Sequence, residues 1–149
     1  MDDLHTLLRQ AELFEGLSDD ELMAIGALCQ ARSYAAGEIV TTQGERGDEL
    51  YVISQGFVEI AQTHPGSDAA PRSVVHLGPG QIVGEMALVD RGPRSATVRA
   101  LTDGTLLQAL PREAFLDLCQ ANTHLGYVVM RNMAADLSFK LRHRMLAGR

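Results

Sequence analysis

Residues 84–98 read Gly84-Glu85-Met86-Ala87-Leu88-Val89-Asp90-Arg91-Gly92-Pro93-Arg94-Ser95-Ala96-Thr97-Val98. A glycine opens a run long enough for one short helix, a turn follows at Gly92-Pro93, and Arg94 leads into a strand-like segment. This order predicts free N–H groups at a helix start close to one guanidinium. Such groups together suit an anion such as phosphate.

Glu85 stands out in a segment that otherwise suits an anion. A carboxylate repels phosphate directly, but it can accept hydrogen bonds from a neighbouring sugar hydroxyl. Its presence therefore favours a sugar phosphate over free phosphate. The residues alone leave a second interpretation open, in which Glu85 and Arg94 form a surface ion pair worth ~0–1 kcal/mol.

The segment before and after this stretch is typical of a β-barrel or β-sandwich. From Tyr34 the hydrophobic period is two, and glycines separate short apolar runs. We predict a hairpin over Glu49–Ile60 that turns at Gln55-Gly56, and a second hairpin whose tip is the polar loop from His64 to Arg72. Further strands are predicted over 73–77, 81–83, 96–100 and 105–110, giving roughly eight strands in residues 34–110.

Helices are predicted on both sides of the strands. Residues 2–14 have helical apolar spacing, and a capping box of Ser18 and Glu21 starts a second helix that is expected to run to about Gln30. Pro111 is expected to open a short helix. A longer helix should follow over 122–146, with an apolar stripe of Leu125, Val129, Met133, Leu137, Leu141 and Met145. The chain is predicted to be one domain, 1–149, with helical parts 1–33 and 111–149.

Composition limits the classes of partner. The formal net charge of -6 argues against a general nucleic-acid or membrane-surface binder, because either would need a basic face. Cys29 and Cys119 are predicted to be buried free thiols. The sequence has no basic leader and no apolar run of ~18 residues, so we expect a cytoplasmic protein.

The stretch 84–98 resembles the phosphate-binding cassette of the cyclic nucleotide-binding domain family. The resemblance extends to Leu13-Phe14-x-x-Leu17-Ser18, Gly37-Glu38, Gln43-Gly44-Glu45-x-Gly47-Asp48-x-Leu50-Tyr51, Gly56 and Gly78-x-Gly80. It implies a mixed α+β fold, in which an eight-stranded antiparallel β-barrel (jelly roll) lies between N-terminal helices and two C-terminal helices, with a short cassette helix.

The resemblance also implies roles for individual residues. The implied ligand-binding residues are Gly84, Glu85, Met86, Ala87, Arg94, Ser95 and Ala96. Glu85 would accept from the ribose 2′-hydroxyl, and Met86 and Ala87 would supply backbone at the helix start. Arg94 would pair with the exocyclic phosphate oxygens, and backbone N–H groups of Ser95 and Ala96 would complete the phosphate site with the Ser95 hydroxyl.

The nucleobase is assigned by the same resemblance. The implied base contacts are Val74, Leu77, Val83, Lys140 and Leu141, of which the three strand residues fit a plain core equally well. Ser95 is like the residue of cAMP-responding members, whereas guanine-selective members often carry threonine. We therefore expect cAMP as the ligand, with cGMP as the alternative. Lys140-Leu141 stand where a cAMP-responding member has two hydroxyl residues, so Lys140 either caps the base or is solvated.

The predicted function is that of a non-catalytic cyclic nucleotide receptor whose C-terminal helix moves to regulate a partner or fused effector. No catalytic residue and no metal ligand is predicted, because the five histidines are scattered. Direct DNA binding is not expected, since the sequence ends at Arg149 without room for a helix-turn-helix domain. A homodimer through the final helix is a further hypothesis. A ligand-free interaction scaffold, a cGMP-selective sensor and a metal-dependent barrel oxygenase remain alternatives.

Overall fold

The computed structural model describes residues 3–63 and 73–147. The helices are α1 Asp3–Gln10, α2 Asp19–Gly26, α3 Arg112–Ala121 and α4 Thr123–Ala147. The strands are β1 Gln30–Tyr34, β2 Ile39–Thr41, β3 Glu49–Gln55, β4 Val58–Gln62, β5 Ser73–Leu77, β6 Ile82–Val83, β7 Thr97–Ala100 and β8 Thr105–Pro111. Two 3₁₀ turns lie at Glu12–Phe14 and Glu85–Leu88, and the second is called the cassette turn below. The predicted mixed α+β fold is confirmed.

The eight strands form two four-stranded antiparallel sheets, in the orders β1-β8-β3-β6 and β2-β7-β4-β5. One buried cluster draws on both sheets and contains Tyr51, Ile53, Val58, Val83, Val98, Leu107 and Ala109. The sheets therefore face each other across a shared core. The arrangement is jelly-roll-like, and the sheets do not close into the continuous barrel that we predicted.

The predicted hairpin over Glu49–Ile60 is wrong, because β3 and β4 belong to different sheets. Gly56 has a φ of 79° and takes the chain from one sheet to the other. Phe57, which follows Gly56, is bonded to the turn after β7, since its carbonyl accepts from the Leu101 N–H at 2.9 Å. The second predicted hairpin has its strands paired, β4 with β5, and its tip from His64 to Arg72 lies outside the described residues.

The capping box predicted at the start of the second helix is confirmed. The Ser18 Oγ accepts from the Glu21 N–H at 3.2 Å, and the Glu21 carboxylate accepts from the Ser18 N–H at 2.9 Å, as in a capping box. Helix α2 ends at Gly26 and does not reach Gln30, because Gln30 is already paired with Ala109 in the first sheet. The strands thus begin four residues before the predicted boundary at residue 34.

The helices share a second core with the cassette turn. It includes Leu8, Phe14, Leu22, Ile25, Leu88, Phe115, Leu125, Val129 and Met133. The Asn132 Nδ2 donates to the carbonyls of Leu13 and Glu15, each at 2.9 Å, and so fastens the middle of α4 to the N-terminal segment. The stripe of α4 divides in two, because Val129 and Met133 are buried whereas Leu141 is 58% exposed.

The two cysteines, Cys29 and Cys119, are free, as predicted, but they are half-buried where the sequence predicted full burial. Burial raises the pKa of Cys29 to about 11 and also raises the pKa of Cys119. Both side chains are therefore neutral thiols near pH 7. Within residues 3–63 and 73–147, none of the helices combines the length and apolarity that crossing a bilayer requires.

Candidate ligand-binding site

The cassette turn begins at a glycine in the left-handed region. Gly84 has a φ of 79° and a ψ of 17°, and the 3₁₀ turn that follows is closed by a 3.1 Å bond from the Ala87 N–H to the Gly84 carbonyl. Val89 and Asp90 donate to the Met86 carbonyl at 3.0 and 3.2 Å. The predicted short cassette helix is therefore one tight turn, with its first N–H groups at the Gly84 end.

The guanidinium of Arg94 lies against that glycine. A β-carbon at Gly84 would be 2.6 Å from Arg94 Nη1, and one at Gly47 would be 2.7 Å from Arg94 Cζ. Arg94 Nη2 donates to the Glu49 carbonyl at 2.7 Å, and Arg94 Cζ lies 5.8 Å from the ring centroid of Tyr51. Two glycines, one carbonyl and one aromatic face together fix this side chain.

Backbone bonds hold the segment around Arg94 as well. The Arg94 N–H donates to the Glu45 carbonyl at 2.6 Å, and the Gly44 N–H donates to the Arg94 carbonyl at 2.9 Å. The Thr97 Oγ1 accepts from the Gln43 N–H at 2.9 Å. The loop from Gln43 to Gly47, which lies between β2 and β3, is therefore hydrogen-bonded directly to the segment around Arg94.

Glu85 faces α4. Its carboxylate is 24% exposed and lies 4.0 Å from the Lys140 Nζ, which also pairs with Asp136 at 3.0 Å. Burial raises the pKa of Glu85, although its own N–H and the charge of Lys140 act in the opposite direction. Burial tends to lower the pKa of Lys140, but the hydrogen bond that Lys140 donates to Asp136 and the charge of Glu85 outweigh it and raise that pKa.

Glu85 and Arg94 form no ion pair with each other, because each has the separate partners given above. The surface ion-pair interpretation is therefore wrong. The two functional groups flank one turn, with the carboxylate toward α4 and the guanidinium toward β3. This is the arrangement that a ligand with a phosphate at one end and a hydroxyl at the other would need.

The remaining predicted cassette residues differ in accessibility. Met86 is exposed and Ala87 is buried. Ser95 is exposed and its carbonyl accepts from Gln62 Nε2 at 3.1 Å, and Ala96 is half-buried. Ser95 and Ala96 follow Arg94 directly in the chain and precede β7.

Strand register separates the predicted base contacts. Leu77 is opposite Val58 on the inner face of its sheet, whereas Val74 is an odd number of residues away and so lies on the outer face, where it is 51% exposed. Val75 is opposite Ile60 and by register is on the same face as Leu77, although it is 48% exposed. Val75 is not among the predicted base contacts, because the sequence alone does not give the register of β5.

The other predicted base contacts lie on β6 and α4. Val83 is buried opposite Tyr51 in the core between the sheets. Lys140 reaches Glu85 as described, and the neighbouring Leu141 is exposed. The structure therefore brings Lys140 to the cassette and leaves Leu141 on the open side of α4.

A cavity of about 220 Å³ lies beside the Arg94 guanidinium. It is lined by Val40, Thr41, Glu45, Arg46, Asp48, Glu49, Tyr51 and Arg94. Of the predicted ligand residues, Arg94 lines it. The sequence assigned no role to Thr41, Arg46 or Tyr51, although Tyr51 belongs to the quoted motif from Gln43 to Tyr51. In the described part of the chain, no group of three or more His, Cys, Asp or Glu side chains could hold a metal ion.

The sequence profile described as the cyclic nucleotide-binding domain matches residues 31–122. The cyclic AMP receptor protein of Thermus thermophilus is 37% identical over 91% of this chain and 59% of its own length. A crystal structure of the Thermus thermophilus catabolite activator protein matches with a TM-score of 0.76 at 37% identity, over 91% of this chain and 61% of that one.

Two further similarities come from other kinds of protein. A cyclic nucleotide-gated potassium channel of Mesorhizobium japonicum is 34% identical over 82% of this chain and 32% of the channel. The regulatory domain of Toxoplasma gondii PKA, crystallised with cAMP, matches with a TM-score of 0.69 at 30% identity, over 77% of this chain and 42% of that one. The chain thus spans less than two thirds of each of these proteins.

Proposed function

The chain belongs to the cyclic nucleotide-binding domain family, and we propose that it is a non-catalytic receptor for a cyclic nucleotide, with cAMP as its preferred ligand. The observation that carries this proposal is the position of the Arg94 guanidinium against Gly84, at the start of the turn that bears Glu85. One short segment thus carries Arg94, which can donate hydrogen bonds to a phosphate, and Glu85, which can accept a hydrogen bond from a hydroxyl. The cytoplasmic location expected from the sequence is part of the proposal.

Each end of the ligand has a proposed partner. Arg94 pairs with the exocyclic phosphate oxygens, and the N–H groups of Ser95 and Ala96 and the Ser95 hydroxyl supply further donors. Glu85 accepts from the ribose 2′-hydroxyl, next to Gly84 and the backbone of Met86 and Ala87. Lys140, now 4.0 Å from Glu85, would give way to that hydroxyl.

The base is proposed to lie against the inner face of the sheet that contains β5. Leu77 and Val75 supply this face, with Val83 on the opposing sheet, and Val75 takes the place that the family resemblance assigned to Val74. Lys140 of α4 lies beside the cassette turn, and Leu141, which is 58% exposed, reaches the base when α4 closes over it. The preference for cAMP over cGMP rests on Ser95, because guanine-selective members of the family often have threonine there.

Binding is proposed to be transmitted by α4. Phosphate docking at Arg94 and the cassette turn pulls the cassette inward, Leu88 repacks within the helical core that it shares with Phe115 and Val129, and α4 closes over the base. A ligand shifts such an equilibrium only by its differential affinity for the two states. The regulated partner would be a fused or separate effector, as the spread of relatives among receptors, channels and kinase regulatory domains suggests.

Thermal unfolding with cAMP, cGMP and 5′-AMP tests the receptor against its alternatives. A ligand that binds only the folded chain stabilises it by ~2.7 kcal/mol at a hundredfold excess over Kd. We expect the largest rise in melting temperature with cAMP, a smaller one with cGMP and none with the open-ring 5′-AMP. No rise with any nucleotide would favour a ligand-free interaction scaffold, and a larger rise with cGMP would favour a cGMP sensor.

A further inference from the structure

Arg112, the first residue of α3, reaches the cassette turn. Its side chain is 16% exposed, and its Nε donates to the Ala87 carbonyl at 2.6 Å. The backbone N–H of Arg112 donates to the Asp48 carbonyl at 2.8 Å. One residue therefore connects the start of α3 to the cassette turn and to Asp48, the residue that precedes β3.

Glu113 makes a second connection to the same segment. Its Oε2 accepts from Arg112 Nη1 at 3.0 Å and also pairs with Arg91, which lies just beyond the cassette turn. The charges and hydrogen bonds of Arg91 and Arg112 lower the pKa of Glu113, with Arg91 making the larger contribution. The start of α3 thus holds the cassette at two points, Ala87 and Arg91.

Helix α3 is in turn connected closely to α4. The two helices are separated by Asn122, whose Oδ1 accepts from the Leu125 N–H at 3.0 Å and whose carbonyl accepts from the Gly126 N–H. Phe115 of α3 is fully buried in the core that also contains Leu88. A displacement of the cassette turn would therefore act on α3 both through Arg112 and through this packing.

We propose that Arg112 is a positioning residue that couples the cassette turn to α3 and α4, and that Glu113 orients its guanidinium for this role. The proposal rests on the proposed function, since it concerns how the occupied site moves α4. A buried guanidinium needs acceptors for its donors, and here they are a cassette carbonyl and Glu113. A lysine would keep the charge but lose the planar fork that serves both acceptors.

The first experiment needs no ligand. Amide hydrogen exchange is compared between wild type and Arg112→Gln at Ala87, Val89 and Asp90, with Arg131→Gln as a control because Arg131 is an exposed arginine of α4. We expect exchange at these three amides to quicken about tenfold or more in Arg112→Gln and to stay unchanged in Arg131→Gln. Unchanged exchange in Arg112→Gln would overturn the proposal. The amides of Leu107 and Ala109 in β8 report whether the variant is folded.

The second experiment adds saturating cAMP and follows exchange in the part of α4 from Asp136 to Leu141. We expect cAMP to slow exchange there in wild type, and to do so much less in Arg112→Gln and Arg112→Lys, while Kd rises no more than about tenfold. Equal protection of α4 in all three proteins would overturn the coupling. A wild-type protein that binds neither cAMP nor cGMP would contradict the proposed function, and the ligand-free comparison would then decide the role of Arg112 by itself.

Discussion

The Arg94 guanidinium occupies the space that a side chain at Gly84 would need, since a β-carbon there would lie 2.6 Å from Nη1. Gly84 also has a φ of 79°, a conformation that side-chain-bearing residues rarely adopt. Backbone conformation and a close neighbour therefore both require glycine at the start of the cassette turn. This relationship makes the proposed phosphate site sensitive to one methyl group.

Gly84→Ala should both destabilise the fold and weaken cAMP binding. The left-handed backbone accounts for a loss of about 1–2 kcal/mol in the free energy of unfolding, and the displaced guanidinium accounts for the loss of affinity. Urea denaturation and calorimetry measure the two effects separately. A variant with wild-type affinity would show that Arg94 does not need its present position.

Substitutions at two other glycines measure the backbone effect and the steric effect separately. Gly37 has a φ of 88°, and no atom lies within 4 Å of the position that a β-carbon would take, so Gly37→Ala should cost stability and leave affinity unchanged. Gly47 has no positive φ, but its β-carbon would lie 2.7 Å from Arg94 Cζ. Gly47→Ala should therefore act mainly on affinity. The opposite pattern would contradict the steric argument.

Glu85→Gln should stabilise the ligand-free protein at pH 7 and weaken cAMP binding. Burial raises the pKa of Glu85 above its ordinary value of 4.5, so ionised Glu85 opposes folding at pH values above its folded-state pKa. The stability difference between the two proteins should shrink as pH falls toward and below 4.5. Affinity should fall by about tenfold or more, because a charge-assisted hydrogen bond to the ribose is lost.

Urea denaturation between pH 4 and pH 7 and calorimetry at pH 7 measure these opposite effects. In wild type, affinity should decline with falling pH as Glu85 is protonated, and it should vary less in Glu85→Gln. A destabilised variant with unchanged affinity would assign Glu85 to the fold instead of the ligand.

Glu21→Gln should destabilise the protein by about 2 kcal/mol at pH 7, because a charged acceptor of several hydrogen bonds is lost. The Glu21 carboxylate accepts from the Ser18 N–H and lies 2.8 Å from His124 Nδ1 and 3.1 Å from Asn122 Nδ2. The Ser18 bond and then His124 lower its pKa below 4.5. Its contribution is therefore present above pH 4.5 and is lost as pH falls through the lower folded-state pKa.

Asp20→Asn is the matched control, since Asp20 is exposed in the same helical turn. It should change the free energy of unfolding by less than about 0.5 kcal/mol. Urea denaturation at pH 7 and at pH 3 compares the two variants with wild type. Equal losses in the free energy of unfolding would show that Glu21 acts only through its negative charge in the first turn of α2.

Leu141→Glu should weaken a homodimer if α4 provides the interface, because Leu141 is 58% exposed on the same stripe as the half-buried Leu137. Tyr127→Glu is the control, since Tyr127 is also exposed on α4 but lies near its start. Light scattering with and without cAMP gives the mass. A wild-type monomer under both conditions would reject the dimer.

Short-range features could be predicted from the sequence because neighbouring residues make them. The capping box of Ser18 and Glu21 and the short turn after Gly84 are examples. Strand pairing could not be predicted in the same way. The alternating pattern from Glu49 to Ile60 fits a hairpin, but β3 pairs with β8 and β6, and these contacts join segments far apart in the chain.

The site could be predicted only in part for the same reason. Gly84, Glu85 and Arg94 belong to one recognisable stretch, and the structure brings them together. The carbonyl of Glu49 and the ring of Tyr51, which hold Arg94, are more than 40 residues away from it along the chain. Likewise, the bond from Arg112 to Ala87 depends on how α3 packs, which no local pattern indicates.

Calorimetric titration of cAMP into wild type, Arg94→Ala and Arg99→Ala tests the central claim most directly. Arg99 is an exposed arginine on β7, which begins three residues after Arg94, and it serves as the charge-matched control. We predict that wild type and Arg99→Ala bind alike, and that Arg94→Ala binds about 10- to 160-fold more weakly, the equivalent of a charged hydrogen bond of about 1.5–3 kcal/mol. Unchanged affinity in Arg94→Ala, or no binding by wild type, would contradict the assignment of this site.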